Sequence, residues 1–186
     1  MNIHIFGASG AGKSTLAKAV AAELGLRHSD TDEAYFVPTD PPFLFEQIRP
    51  VEQRLAILRE VLETPPGTVL GGALSTWGQP LTPLLSCVAW LDTPTSVRLE
   101  RLERREVERY GDAILPGGWR HEESRAFLAW AVAYDAGTAE GRSRQQDETW
   151  LRHLPCPLLH LDGTRPLDDL VREVVAWIES TSKSPE

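Results

Sequence analysis

Along the chain, apolar residues fall into two kinds of pattern. Short strand-like runs occupy 3–6, 26–29, 68–71, 88–91 and 158–161. Between them, apolar residues recur every three or four positions over 13–24, 50–62, 94–109, 122–134, 147–154 and 167–178, the spacing of helices with one buried face. Strands alternating with helices predict a parallel sheet covered on both faces, an α/β architecture. The proline-rich stretch Pro38-Thr39-Asp40-Pro41-Pro42 and the segment 110–120, with Gly111, Pro116, Gly117 and Gly118, break both periods and read as loops. Such loops often cover ligands. Neither an internal repeat nor a low-complexity tract interrupts the pattern, so 1–186 reads as a single domain.

The junction between the first strand and the first helix carries chemistry. Gly7-Ala8-Ser9-Gly10-Ala11-Gly12-Lys13-Ser14-Thr15 is a complete G-x-x-x-x-G-K-[ST] phosphate-binding loop, flanked by the strand and helix that the motif requires. Its glycines let the backbone curl with N–H groups pointing inward, and the positive end of the helix closes this anion nest. Lys13 then reaches the β- and γ-phosphates, and the Ser14 hydroxyl ligates Mg²⁺. The motif implies a bound nucleoside triphosphate.

Composition narrows the company this loop keeps. A net charge of -8 argues against a nucleic-acid surface, which needs a basic excess. No apolar stretch approaches membrane-spanning length, and the amino terminus reads as a strand without a signal peptide. Cys87 and Cys156 sit in or beside apolar runs and read as small packed side chains rather than a disulfide or metal pair. These features point to the cytoplasm.

The order of parts resembles the small-molecule and nucleoside-monophosphate kinases, such as shikimate, gluconate and adenylate kinases. The resemblance rests on the phosphate loop, the acidic pair in His28-Ser29-Asp30-Thr31-Asp32, and Gly72-Ala73-Leu74-Ser75-Thr76-Trp77-Gly78 after the third strand. It extends to Pro38 through Phe43, the arginine-rich helix at 102–109, Gly141-Arg142-Ser143 and Leu161-Asp162-Gly163-Thr164. As a whole the chain is most similar to small adenylate-kinase-like P-loop ATPases. The resemblance covers nearly all of it and implies a three-layer α/β/α fold with five parallel strands in the order 2-3-1-4-5, and a lid at about 109–141.

Residues that fit an active site follow. Asp30 and Asp32 stand at a strand's carboxyl end, where ligands sit in doubly wound sheets. The resemblance implies that Asp32 orients the acceptor and Asp30 lies nearer the metal; the alternative is that one of them caps the next helix. Asp92 ends the fourth strand as a metal acid would, yet Thr93-Pro94 follows, so helix capping is also open. Gly72 would let a substrate approach the backbone, and Ser75 and Trp77 suit a polar, partly apolar acceptor; a tight turn with a core indole is the alternative.

Arg98, Arg101, Arg105 and Arg109 fall at spacings of three, four and four and share one helix face. The resemblance to lidded kinases implies that Arg101 and Arg105 stabilise the phosphoryl group in flight; a solvated face paired with glutamates is the plain alternative. Arg142 and Arg144 form a second pair able to bind acceptor or nucleotide. The resemblance also lays Gly163, Thr164 and Arg165 against the adenine ring. The expectation is a phosphotransferase that uses ATP and Mg²⁺ on a small acceptor, working as a monomer or homodimer. Its alternative is an ATP-hydrolysing switch read by a protein partner.

Overall fold

A computed structural model of the chain describes residues 1–39 and 45–181. Five parallel strands, β1 (Asn2–Phe6), β2 (Arg27–Asp30), β3 (Thr68–Gly72), β4 (Cys87–Asp92) and β5 (Leu158–Asp162), form one sheet in the order β2-β3-β1-β4-β5. The helices are α1 (Lys13–Leu24), α2 (Thr31–Tyr35), α3 (Val51–Glu63), α4 (Thr95–Tyr110), α5 (His121–Ala136), α6 (Arg144–Arg152) and α7 (Leu167–Thr181). This is the expected three-layer arrangement and strand order. No helix among the described residues is long and apolar enough to cross a membrane.

Strand β1 shows why the layers form. Side chains alternate across a strand, so Ile3 and Ile5 face one way and His4 and Phe6 the other. The first pair joins Leu16 and Val20 of α1 and Val174 and Ile178 of α7 in one core. Phe6 joins Leu58 and Leu62 of α3, Leu74, Leu81 and Trp150 in the other. His4 is wholly buried beside Phe6, and its Nδ1 bonds the Leu70 carbonyl. Burial drives its pKa down to about 4, so the ring is neutral and Nδ1 carries the donated proton. Cys87 and Cys156 are both free, and burial pushes the Cys87 thiol up to about 12.

Three short elements lie outside the sequence reading. Helix α2 has five residues, too few to show a period, and begins where a turn could equally stand. Of two 3₁₀ segments, Gly111–Ile114 falls in the stretch read as loop, and Gln79–Leu84 in one to which no element was assigned. The expected helix at 147–154 starts earlier, at Arg144, because Ser143 caps it in a reciprocal box with Gln146. Of the proline-rich segment, Asp40, Pro41, Pro42 and Phe43 lie outside the described residues.

Parallel register brings the functional ends of the strands together. Phe6, directly before the phosphate loop, pairs with Gly72, and Asp30 pairs with Gly71. Gly72 has φ +131°, and a Cβ there would lie 1.9 Å from Thr31 Oγ1. The missing side chain is therefore the space that Thr31 fills. Thr31 Oγ1 in turn accepts a 3.0 Å hydrogen bond from the Ala73 amide and ties α2 to the end of β3. Gly72→Ala should therefore lower unfolding stability by about 2–4 kcal/mol through backbone strain and overpacking. A fall in the urea midpoint at unchanged slope would show it, and an unchanged midpoint would refute the packing argument.

Candidate active site

The phosphate loop is held open by its own backbone. Gly12 takes φ +101° as the residue before α1 and offers no side-chain cap, so the first amides of α1 face the loop's hollow unpaired by a cap. The carbonyls point the other way, and each of four meets a cation. Arg142 Nη2 donates to Gly7 at 3.0 Å and Lys13 Nζ to Ala8 at 2.8 Å. Arg98 Nη1 donates to Ser9 at 3.1 Å and Arg101 Nη1 to Ala11 at 3.1 Å.

Two acids stand opposite. Ser14 Oγ makes a short hydrogen bond to Asp30 Oδ2. The other Asp30 oxygen accepts from the Asp32 amide at 3.0 Å, and Glu33 completes a capping box that starts α2. Asp30 is thus both a cap and the partner of Ser14. Strand β2 ends at Asp30, so Asp32 does not stand on the strand's carboxyl end with it; it sits in the first turn of α2. Both carboxylates nevertheless line one cavity. Asp32 is exposed to that space, and desolvation by the cavity walls, followed by the charge of Asp30, raises its pKa. Around Lys13 the protein, and next the Arg142 charge, push the amine down to about 8.

The cavity measures about 740 Å³. Ser9, Gly10, Lys13 and Ser14 floor it, and the rings of Tyr35, Phe45, Trp77, Phe127 and Trp130 wall it. Arg105, Arg109, Arg120 and Arg142 also reach it. Arg105 lies with its guanidinium 5.7 Å from the Phe127 ring centre, and its buried Nε has no hydrogen-bond partner among the described residues. Burial, then the neighbouring Arg109, lowers its pKa. A desolvated guanidinium in a cavity with room beside it is chemically able to receive an anion.

Comparison with known proteins places this arrangement. The AAA domain family model matches residues 3–127. The protein named uncharacterized protein YqaC from Bacillus subtilis (strain 168) is 37% identical over 179 residues, covering 96% of this chain and 98% of that one. The chain belongs to the AAA domain family. Among solved structures, shikimate kinase from Acinetobacter baumannii in complex with shikimate superposes with a TM-score of 0.61 at 18% identity, over 98% of this chain and 95% of that one. Shikimate kinase from Bacteroides thetaiotaomicron gives 0.58 at 17% identity, over 96% and 98%. A sugar kinase from Janibacter sp. HTCC2649 gives 0.52 at 19% identity, over 96% and 94%. These likenesses identify the fold as that of the small P-loop kinases.

Several expected site residues stand elsewhere in this family member. Arg101 does not line the cavity: its guanidinium bridges the carbonyls of Ala11 and Gly163, so it braces the loop instead of meeting a phosphoryl group. Arg98 is 1% exposed and bonds Ser9, Thr93 and Asp135, and so is not on a solvated face either. Ser75 is withdrawn from the cavity to bond Asp147. Trp77 serves both readings, lining the cavity and packing on the α3 side of the sheet. Gly72 reaches the cavity, but the space beside it belongs to Thr31. Arg165 pairs with Glu173, and Thr164 bonds Asp162, which leaves the Gly163 carbonyl to Arg101.

Asp92 is neither metal acid nor cap. Arg144 approaches it in a fork, with bonds of 2.9 and 2.6 Å, and Pro94 precedes α4 with no side-chain cap. Arg144 therefore belongs to β4 and not to the cavity. The residue that sequence reasoning missed is Asp147, fully buried on α6, where an acid in an amphipathic pattern reads as solvated.

Burial acts to raise the Asp92 pKa, and the Arg144 bonds and charge outweigh it, so the group titrates below the usual carboxylate range. A depressed folded-state pKa adds stability above the unfolded pKa of about 3.9 and loses it as pH falls through the folded value. Asp92→Asn should cost about 1 kcal/mol at pH 7, and the gap to wild type should close below about pH 4. Thermal unfolding at pH 7 and pH 3 checks this; a gap equal at both would exclude the ion pair.

Proposed function

We propose that the protein is an ATP-dependent phosphotransferase that moves the γ-phosphate of Mg-ATP to a small acceptor, a nucleoside monophosphate or a small hydroxylated metabolite. One observation carries the reading. The phosphate loop, both acids and the desolvated Arg105 share a cavity of about 740 Å³, larger than the loop itself needs, whose lining also includes the rings of Tyr35, Phe45, Trp77, Phe127 and Trp130. Hydrolysis needs room only for water; transfer needs room for an acceptor.

In this reading the amides at the start of α1 and Lys13 bind the polyphosphate. The Ser14 hydroxyl and the Asp30 carboxylate form a hard oxygen pair suited to Mg²⁺, which favours one or two such groups together with substrate phosphates. When bound, the ion supplies charge neutralisation at the phosphates. Asp32, with its raised pKa and its place in the cavity, holds or accepts the proton of an acceptor hydroxyl. Arg105 faces the same space and offsets charge on the group being transferred. Two free thiols and a net charge of -8 support a cytoplasmic enzyme of small molecules, monomeric or homodimeric.

A second reading, an ATPase switch, draws on Leu115 and Trp119, exposed at 53% and 59% on the segment next to the cavity, as a partner surface. Hydrogen exchange separates the two. A kinase protects 110–120 most with ATP and acceptor together, a switch with ATP alone.

Screening purified protein with Mg-ATP against nucleoside monophosphates, sugars and sugar acids for ADP release should find one acceptor class that stimulates turnover. Lys13→Ala should then lose about 10²–10⁴-fold in activity while remaining folded, since two charge-assisted hydrogen bonds at about 1.5–3 kcal/mol each are lost. Retained turnover in that variant would end the nucleotide reading. Asp32→Asn should drop transfer by about 10²–10⁴-fold and leave ATP-analogue affinity as in wild type. An active Asp32→Asn protein would move the acceptor role to another acid.

A further inference from the structure

Asp147 is a carboxylate with no exposure at all, and four donors converge on it. Its Oδ1 accepts from Ser75 Oγ at 2.5 Å and from Arg142 Nε at 3.0 Å. Its Oδ2 accepts from the Tyr134 hydroxyl at 2.6 Å and from Arg142 Nη2 at 2.6 Å. The four donor atoms belong to three residues from different parts of the chain: Ser75 in the turn after β3, Tyr134 on α5, and Arg142, the residue before the cap of α6. A buried carboxylate needs this many donors to remain charged.

Arg142 is the member that reaches the cavity. Its Nε and Nη2 are engaged by Asp147 and by the Gly7 carbonyl, and the Phe6 and Tyr134 rings flank it at 5.2 and 5.6 Å. The hydrogen bonds of Arg142 to described residues all leave from Nε and Nη2, none from Nη1, and the residue lines the cavity together with Lys13. A guanidinium held on one edge offers its other edge at a fixed place and angle, which a free arginine cannot do without losing rotamer entropy.

We infer that Asp147 is a positioning residue for Arg142, setting its Nη1 edge to receive the terminal phosphate of a bound nucleoside triphosphate next to Lys13. The inference rests on the nucleotide reading above and adds to it the device that distinguishes a triphosphate from a diphosphate. Ser75 carries the same carboxylate to the acceptor wall, where Thr76 and Trp77 follow directly, so the phosphate end and the acceptor end share one buried anion.

The test is a discrimination ratio. Titration calorimetry with Mg²⁺ measures dissociation constants for ADP and for the β,γ-imido analogue of ATP. Wild type should favour the triphosphate. Arg142→Ala and Asp147→Asn should each cut that preference by about tenfold, the value of one charge-assisted hydrogen bond, and the double variant should cut it no further. Tyr134→Phe removes a hydrogen bond from the same carboxylate; it should lower Tm and leave the ratio as in wild type. A wild-type ratio in Asp147→Asn, additive losses in the double variant, or an equal loss in Tyr134→Phe would overturn the inference. Should Asp147→Asn not fold, Arg142→Lys, which keeps the charge and loses the fork, gives the same readout. If wild type binds neither ligand, the nucleotide reading fails and this one with it. If it binds both without preference, this one fails alone.

Discussion

The carbonyl groups of the phosphate loop are the constraint on which the site depends. A peptide plane that turns its N–H inward must turn its C=O outward, and an outward carbonyl packed against protein needs a donor. Here Gly7, Ala8, Ser9 and Ala11 are met by Arg142, Lys13, Arg98 and Arg101 in turn. Each cation fixes one peptide plane and thereby aims an amide into the hollow. Three of the four come from outside the loop, from α4 and from the chain just before α6, so the nest is assembled by elements far away in sequence.

This assignment sorts the arginines. Along α4, Arg98 and Arg101 spend their guanidinium groups on the loop and neighbouring carbonyls, and Asp135 takes part of the Arg98 charge. One turn further on, Arg105 has an Nε with no such partner among the described residues and stays beside Phe127 at the cavity wall. Fully satisfied buried charges rigidify a structure, and an unsatisfied one costs free energy until a ligand arrives. The same helix face thus contributes scaffold at one end and a guanidinium at the cavity wall at the other. Arg142 does both, bonding the Gly7 carbonyl and lining the cavity.

The acids show a parallel division. Asp30 is spent on the start of α2 and on Ser14, whereas Asp32, two residues on, is left open to the cavity with its charge disfavoured by Asp30 and by the protein around it. A carboxylate taken out of bulk water and set beside another negative charge keeps its proton to higher pH. Register delivers them to the site, because β2 pairs with β3 and β3 with β1, so Asp30, Gly71 and Ile5 lie side by side across the sheet.

Local physics made the fold legible. Alternation in Ile3 to Phe6, three-to-four spacing in α1 and α7, and the phosphate-loop motif are each complete within a dozen residues, and from them the layers and the loop follow. Helix α2 escaped because a five-residue helix has no period to read, and a capping box resembles an Asx turn. Of the candidates the sequence offered, Lys13, Ser14, Asp30, Asp32, Gly72, Trp77, Arg105 and Arg142 line the cavity, whereas Arg101, Ser75 and Arg165 do not. Which arginine of 98, 101, 105 and 109 meets a carbonyl and which meets open space depends on what packs against α4, and the spacing is the same in either case. Ser75 looked like an acceptor ligand until Asp147, 72 positions away, claimed its hydroxyl. Asp147 itself carried no signal, since a buried and a solvated acid are the same letter on an amphipathic helix. A sequence records which groups can bond within a turn or a strand; only the closed tertiary structure decides which distant donors are satisfied and which remain free for a ligand.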